Sequence, residues 1–402
     1  MDDRTPVIVA TARTPIGRAA KGSMVDARVD DLSAFIIKDV MSKVPALPTT
    51  DVEDVIWGIG QPAGEGGYNV ARLAALMAGL EAPGVTVNRY CSSSLQTIRM
   101  AAHAIIANEG DCFVSGGVEA VSRYGSGASD TGPHNEAFAA AEQRTVDRSM
   151  GEADTWAPPA GLPDIYIAMG QTAENVAQLK GVSREAQDEF GVLSQNRAEA
   201  AQARGFFERE ITPYTLPDGT VVSTDDGIRA GTTIEKVSQL KPVFRPDGTV
   251  TAGNACPLND GAAAVVVMSL GRAKELGITP KARIISSGVS SLNPEIMGLG
   301  PIEAIKQALG RAGMSADDVD LFEINEAFAA QVLPSADEVG IPIDKLNVHG
   351  GSIALGHPFG MTGARIMTTL INGLEDTDKS IGVESMCVGG GQGMAMVVER
   401  LS

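Results

Sequence analysis

Four short stretches hold reactive or polar side chains together with more glycine than packing requires. They are Asn88-Arg89-Tyr90-Cys91-Ser92-Ser93-Ser94, Asn325-Glu326-Ala327-Phe328, Gly356-His357-Pro358 and Cys387-Val388-Gly389-Gly390-Gly391. Cys91 has the most readable surroundings. Val85-Thr86-Val87 before it is apolar and β-branched, as a strand is. Leu95, Ile98, Ala102 and Ile105 after it fall at the spacing of a buried helix face. Ser92, Ser93 and Ser94 are good N-cap residues. The pattern predicts a cysteine at a strand-to-helix junction, where unpaired N–H groups lower a thiol's pKa and favour the nucleophilic thiolate. Each stretch alone has an ordinary reading: a buried cysteine, an asparagine capping a helix, a histidine in a turn. Their shared placement, where a predicted strand yields to a turn, points to one site.

The elements that must position them repeat along the chain. Pro6 to Ala12, Val52 to Ile59, Asp111 to Val118 and Gly261 to Met268 read as buried strands. Helices are expected after Asp30 or Asp31 and over Asn69 to Leu80. In the last third, Ala282 to Val289, Asp317 to Phe322, Asn347 to His349 and Ile381 to Gly391 parallel earlier strands in the same order, at a spacing of roughly 265 residues. Ile302 to Ala312 reads as a helix. Between the halves, Ser122 to Lys241 changes texture: Ser, Gly, Asp and Pro crowd Gly125 to Gly161, and one clear helix runs over Ser183 to Ala203. Insertions of this kind are often lids or binding loops. The organisation expected is a first half over 1–121 with 248–275, an inserted loop domain over 122–247, and a second half over 276–402. In such α/β sheets the site lies at the carboxyl ends of the strands. Gly58-Ile59-Gly60-Gln61-Pro62-Ala63 formally matches a dinucleotide-binding pattern, but a lone match is weak and Pro62 interrupts the turn.

Composition narrows the class. The chain has 402 residues, 44% of them hydrophobic, enough for two or three domains with sizeable cores. A net charge of −18 argues against a nucleic-acid or anionic-membrane binder, which basic surfaces favour. The four cysteines, Cys91, Cys112, Cys256 and Cys387, form no CxxC pair and no metal-like cluster. Their scatter suits reduced thiols in the cytoplasm. The acidic start Met1-Asp2-Asp3 lacks the features of a signal peptide, and no run of about 18 apolar residues occurs to span a membrane.

The motifs NRYCSSS at Asn88, GGVEAVS at Gly116, TAGNACPLNDGAA at Thr251, NEAFAAQ at Asn325, NVHGGSIALGHPFGMTGAR at Asn347 and MCVGGGQGMA at Met386 together resemble the thiolase family. The resemblance runs through nearly the whole chain, in the family's order. It implies a five-layered α-β-α-β-α core with a loop domain over the site, and ping-pong acyl transfer to and from coenzyme A. By resemblance, Cys91 is the nucleophile that becomes the acyl-enzyme and His357 the base that activates it. Cys387 is the second thiol, which moves the α-proton or the proton of the incoming thiol. Asn325 positions an oxyanion-hole water, and the Gly389 N–H belongs to the other oxyanion hole. The residue types suit that chemistry. A thioester passes its acyl group readily to a thiolate. An α-proton needs a strong base near its working pH. Two oxygen charges need two sets of donors.

The resemblance also implies that Arg229, Leu240, Phe244, Ala252 and Cys256 line coenzyme A, and that Met169, Met297 and Phe328 surround the acyl group. Arg229, Lys236, Lys241 and Arg245 against Glu235 make a local basic stretch suited to phosphates. No metal or redox cofactor is expected. Acyl-CoA and CoA are the expected partners, and a homotetramer built from dimers the expected assembly. A thiolase-like carrier without turnover, the distant alternative, should lack a thiol or the histidine, and this chain keeps all three. Two departures stand out: Cys256 where the family commonly has Ser, and His349 where it often has Asn. Ala168-Met169-Gly170 stands where short-chain members often carry His-Met-Gly. The lost imidazole predicts activity beyond four-carbon substrates, against the alternative of an acetoacetyl-CoA-specific enzyme.

Overall fold

The computed structural model describes residues 1–151 and 153–402. The first half contributes β1 (Pro6–Arg13), β2 (Asp54–Gly58), β3 (Gly84–Val87), β4 (Cys112–Ala120) and β5 (Asn259–Ser269), side by side in the order β3-β2-β4-β5-β1. The second half contributes β6 (Ala282–Ser291), β7 (Leu321–Ile324), β8 (Ile381–Val388) and β9 (Gln392–Arg400), in the order β7-β8-β9-β6. Numbered within its own half, the first order is 3-2-4-5-1 and the second 2-3-4-1; with an empty place kept for a third strand the second reads 2-4-5-1 and matches the first. The repeat read from sequence is thus a repeat of topology. The two sheets join where β1 meets β6, with Val7 opposite Arg283 and Ile8 opposite Ala282.

One expected strand is absent. Asn347 to His349 forms no strand; the chain there makes a single parallel bridge, Leu346 to Phe322, and Asn347 turns at φ 46°. The Asn347 side chain takes over the pairing. Its Oδ1 accepts from the Ile324 N–H and its Nδ2 donates to the Ile324 carbonyl, both at 2.9 Å. An amide side chain offers the same donor and acceptor as a peptide unit, so Ile324 is satisfied on the side of β7 away from β8 without a further strand.

Alternation along the strands builds three cores from two sheets. Val7 and Val9 of β1, with Val266 and Met268 of β5, face α1 (Val29–Ser42) and α2 (Val70–Met77). Ile8, Val265 and Val267 face the opposite way, toward α3 (Ser93–Ile106). In β9, Met394, Met396 and Val398 join that central core, while Ala395 and Val397 face the outer one. The outer core of the second half is closed by α7 (Gly300–Ala312) and α8 (Ala329–Val339), and the central layer by α9 (Thr362–Asp376) beside α3. Period-two side chains on each strand therefore produce the five layers.

The inserted segment holds α4 (Ala139–Ser149), α5 (Met169–Lys180) and α6 (Arg184–Ala203). Ser183 caps α6 by accepting from the Ala186 N–H at 3.1 Å, as its sequence suggests. Periodicity does not reveal α5, because its buried face is polar: Gln171, Thr172, Glu174 and Asn175 are all buried. Gln171, Glu174 and Asn175 accept hydrogen bonds from Arg245, Thr249 and Val250, and the Thr172 hydroxyl donates to the Met169 carbonyl. The segment is tied to the first sheet by Arg13. Its guanidinium reaches Glu210 at 2.8 Å and Asp225 at 2.8 and 2.9 Å, all three side chains being buried.

Candidate active site

Cys91 lies in a tight turn, Tyr90–Ser92, between β3 and α3. Tyr90 holds φ at 43°, a conformation unfavourable for a side chain of its size, and the Asn88 Oδ1 accepts its N–H at 2.8 Å. The serines do not cap α3 as expected. Ser92 makes no cap bond, and its hydroxyl is buried without a partner. Ser93 donates to the Tyr90 carbonyl at 2.7 Å and accepts from the Arg89 N–H at 2.9 Å, so it fastens the turn. Ser94 accepts the Ala364 N–H at 2.9 Å, which sets the start of α9 against the start of α3. The expected depressed thiol pKa is also reversed. Burial pushes Cys91 up to about 12, while N–H groups of Gly389 and Cys91 itself pull it down. The resting residue is a thiol, so its proton must leave as it attacks.

His357 reaches the site from the loop before α9. Its own N–H is held by Asn259 Oδ1 at 2.9 Å. Its Nδ1 lies 2.7 Å from Thr362 Oγ1, and that hydroxyl donates to the Pro358 carbonyl at 2.7 Å. Thr362 must then accept from Nδ1–H, which leaves the lone pair on Nε2. Burial and the charge of Arg365 push the imidazole down to about 3, so it is neutral at pH 7. Asn325 does not cap α8, whose first flanking residue is Phe328. Its Oδ1 accepts from Ser352 at 2.6 Å, Ser352 accepts from Arg365 at 2.8 Å, and its Nδ2 faces His357 Nε2 at 3.2 Å. That chain of donors fixes which way the amide points.

Cys387 ends β8, fully buried, and burial together with Cys91 and Cys256 pushes its thiol well up. The Gly389 N–H beyond it favours the Cys91 thiolate. Cys256 is thus a third thiol within electrostatic reach of the other two. The sequence places Cys256 along coenzyme A but carries no signal of that proximity. Met297, Phe328 and Cys387 share one apolar cluster with Met169 and Phe244 packed against it, and the Phe244 and Phe328 rings meet edge to face at 6.1 Å. Leu240 and Ala252 are exposed on either side of Gly253.

The basic stretch needs correcting. Arg229 is exposed, but Arg245 is buried and bonded to Gln171 at 2.8 Å and Asn175 at 2.7 Å, so it cannot reach a phosphate. Arg18, unnoticed in the sequence, is close enough to Arg229 to repel it. Gly58 of the dinucleotide-like pattern packs on α3: a Cβ there would lie 2.6 Å from the Ser93 carbonyl carbon. His349 is a core residue, stacked on Phe206 at 3.8 Å and pushed down to about 4 by burial. Among the described residues no cluster of His, Cys, Asp and Glu could hold a metal ion, and no helix is long and apolar enough to cross a membrane.

Known proteins share this arrangement. Residues 6–271 match the family description "Thiolase, N-terminal domain" and residues 278–400 "Thiolase, C-terminal domain". The chain is 44% identical over 405 residues to the 3-ketoacyl-CoA thiolase of Aeromonas hydrophila, covering 98% of this chain and 99% of that one. It is also 44% identical over 407 residues to the acetyl-CoA acetyltransferase of Cupriavidus necator, with the same coverage. The crystal structure of the dimeric peroxisomal thiolase of Saccharomyces cerevisiae superposes with a TM-score of 0.88 at 35% identity, covering 100% of this chain and 98% of that one. The acetyl-CoA acetyltransferase of Bacillus anthracis superposes with a TM-score of 0.85 at 37% identity, covering 99% of each. With both family domains matched, a strand order that repeats in the two halves apart from one strand, and the two thiols and the bonded Asn325–His357 pair brought together around the ends of β3, β7 and β8, this chain belongs to the thiolase family.

Proposed function

We propose that the protein is an acyl-CoA C-acyltransferase that cleaves 3-ketoacyl-CoA with CoA to acetyl-CoA and a shortened acyl-CoA, and runs the reverse Claisen condensation. The observation that carries the reading is the bonded His357–Asn325 pair, Nε2 to Nδ2 at 3.2 Å, with the Cys91 and Cys387 thiols buried within electrostatic reach of one another and the Gly389 N–H favouring the Cys91 thiolate. One backbone donor and a second thiol around a nucleophile suit an acyl-enzyme and a carbanion in turn.

In thiolysis, His357 Nε2 takes the Cys91 proton as the sulfur attacks the 3-keto carbon. The oxyanion is held by the N–H groups of Gly389 and Cys91. Collapse breaks the bond between C2 and C3, leaving the acyl group on Cys91 and an enolate of acetyl-CoA. His357, now protonated, and a water held by the Asn325 amide stabilise the enolate oxygen, and Cys387 delivers its proton to C2. Free CoA then gives its thiol proton to Cys387 and attacks the acyl-Cys91, regenerating the Cys91 thiolate, which recovers its proton from His357. Acyl-CoA and CoA are substrates, and the sequence of steps calls on no metal or redox cofactor. Arg229 with Arg18 holds phosphate groups, Leu240, Ala252 and Cys256 follow the pantetheine arm, and Met169, Phe244, Met297 and Phe328 enclose the acyl chain.

We further assign a homotetramer, a dimer of dimers, working in the cytoplasm. Support for association comes from β3, which ends the sheet order, and from the exposed apolar side chains Tyr68, Leu76, Met77, Val85 and Tyr90 on and around it. The deciding experiment for the activity is incubation with acetyl-CoA followed by peptide mass spectrometry. The acetyl group is expected on the Cys91 peptide; a label on Cys387 or Cys256, or none, overturns the reading. Light scattering at micromolar concentration tests the assembly, and a monomer would refute it.

A further inference from the structure

Glu119 is fully buried near the carboxyl end of β4, and none of the steps above uses it. Its carboxylate accepts four hydrogen bonds, all from neutral donors. Oε2 takes the N–H of Gly60 at 2.7 Å and that of Gly360 at 2.9 Å. Oε1 takes the hydroxyl of Tyr124 at 3.0 Å and the N–H of Gln61 at 3.3 Å. The donors belong to three separate segments: the turn after β2, the turn after β4, and the loop between His357 and α9. Two glycines permit the approach. A Cβ on Gly60 would lie 2.9 Å from Glu119 Oε2, and a Cβ on Gly360 would lie 2.2 Å from the Val118 carbonyl oxygen. The other buried carboxylates around the central layer, Glu210, Glu323, Glu326 and Glu384, all feel the positive charge of Arg365. The four groups bonded to Glu119 carry no charge. A buried carboxylate served only by neutral donors persists where several of them converge, and here they converge from the segments that frame the nucleophile and the base.

We propose that Glu119 is a positioning residue for acyl transfer: its carboxylate holds the His357 loop against the strand end beside the Cys91 turn, and its charge bears on the Cys91 sulfur. This rests on the acyl-transfer reading above. The two effects pull in opposite directions. The clamp places His357, which turnover requires. The charge disfavours the Cys91 thiolate, adding to burial. The titratable groups facing Cys91 are Glu119, Tyr124, Cys256, Cys387 and His357, the last held neutral because burial pushes it down to about 3. Tyr124 and both thiols are pushed up, away from neutrality. Glu119, raised by burial to about 7, is the one that changes charge near neutral pH. Its protonation puts an O–H among four converging donors and loosens the clamp.

The test is Glu119→Gln in the full chain. Glutamine keeps the shape, removes the charge and turns an NH2 toward backbone N–H groups. The kcat for thiolysis is expected to fall about tenfold or more with KM for CoA within about twofold, while Cys91 alkylation by iodoacetamide at pH 8 becomes faster. The ratio of variant to wild-type alkylation should grow as pH rises through about 7, where wild-type Glu119 takes up its charge, whereas general loosening would raise it equally at every pH. Tyr124→Phe is the second variant and decides if the first fails to fold. It keeps the charge and removes one donor, so Glu119 takes its proton at higher pH and the acid limb of kcat moves to higher pH. A wild-type kcat, or a fall in kcat without the faster alkylation, in Glu119→Gln overturns the proposal. So does an acid limb in Tyr124→Phe that coincides with wild type. A wild-type protein that forms no acetyl-CoA from 3-ketoacyl-CoA and CoA would instead refute the reading on which the proposal rests.

Discussion

His357 and Thr362 are bonded Nδ1 to Oγ1 at 2.7 Å, and that contact decides which imidazole nitrogen is free. Because the threonine proton is committed to the Pro358 carbonyl, Nε2 carries the lone pair and faces the Asn325 amide. Thr362→Val keeps the volume and deletes the acceptor. The free energy at stake is that of one neutral hydrogen bond, about 1 kcal/mol, and kcat should fall about five- to tenfold with KM nearly unchanged. Steady-state thiolysis kinetics check this; a wild-type kcat would show that the tautomer is set by something else.

Cys91 should behave as a thiol in the free enzyme. Its value of about 12 lies above neutrality, so the thiolate fraction grows about tenfold per pH unit between pH 6 and 9. Alkylation by iodoacetamide, followed as loss of activity, should rise across that range without a plateau. A plateau reached below pH 7 would mean a resting thiolate paired with imidazolium.

Cys387→Ser should separate the two half-reactions. The second thiol serves the carbon acid, not the first attack, so acetylation of Cys91 from acetyl-CoA should remain measurable. Condensation to acetoacetyl-CoA should drop by about a hundredfold or more, the usual scale for a lost general acid or base. Equal losses in both steps would place Cys387 in the first attack as well.

Arg13 holds Glu210 and Asp225 with no solvent at any of the three side chains. Arg13→Ala leaves two buried carboxylates beside a lost cation, and such a break destabilises by about 3–5 kcal/mol. Urea unfolding should show a clearly lower midpoint, with the inserted segment becoming protease-sensitive first. An unchanged midpoint would mean that water or Arg365 replaces the lost partner.

Chain length is the finest of these tests. Ala168 is exposed at the start of α5, next to Met169, where an imidazole would otherwise crowd the acyl group. Each buried methylene contributes about 0.8 kcal/mol, so an open pocket should favour longer substrates. The expected outcome is kcat/KM for 3-ketohexanoyl- and 3-ketooctanoyl-CoA at least equal to that for acetoacetyl-CoA. A steep fall after four carbons would show that Met169, Phe244, Met297 and Phe328 close the pocket.

What sequence conveyed, and what it withheld, follows from the physics of each residue. The apolar runs at β1, β4 and β5 alternate between two cores, and a period of two is readable in any strand. The strands running into Cys91, Asn325 and Cys387 were legible, but His357 follows a short helix, Ser352–Leu355, so the shared strand-end placement does not extend to it. Thiol ionisation was not legible: a helix start lowers a pKa, but burial of Cys91 outweighs it, and burial is a property of the packed molecule. Helix α5 escaped because its inner face is hydrogen-bonded rather than greasy. Asn347 to His349 misled because one amide side chain imitates a strand's backbone. Arg245 misled because an arginine in a basic stretch looks the same whether it points out or in.

The two halves differ at their outer margins. On the second half, Leu346 and the Asn347 amide already occupy the side of β7, so no further chain can add there. On the first half, β3 has an unoccupied side, and three residues after its last one comes the strained backbone of Tyr90, followed by Cys91. Growth of the sheet by a second molecule is therefore confined to the strand that delivers the nucleophile. A partner strand added there would lie within a few peptide units of that turn, so pairing of two molecules would bear directly on the geometry of the nucleophile.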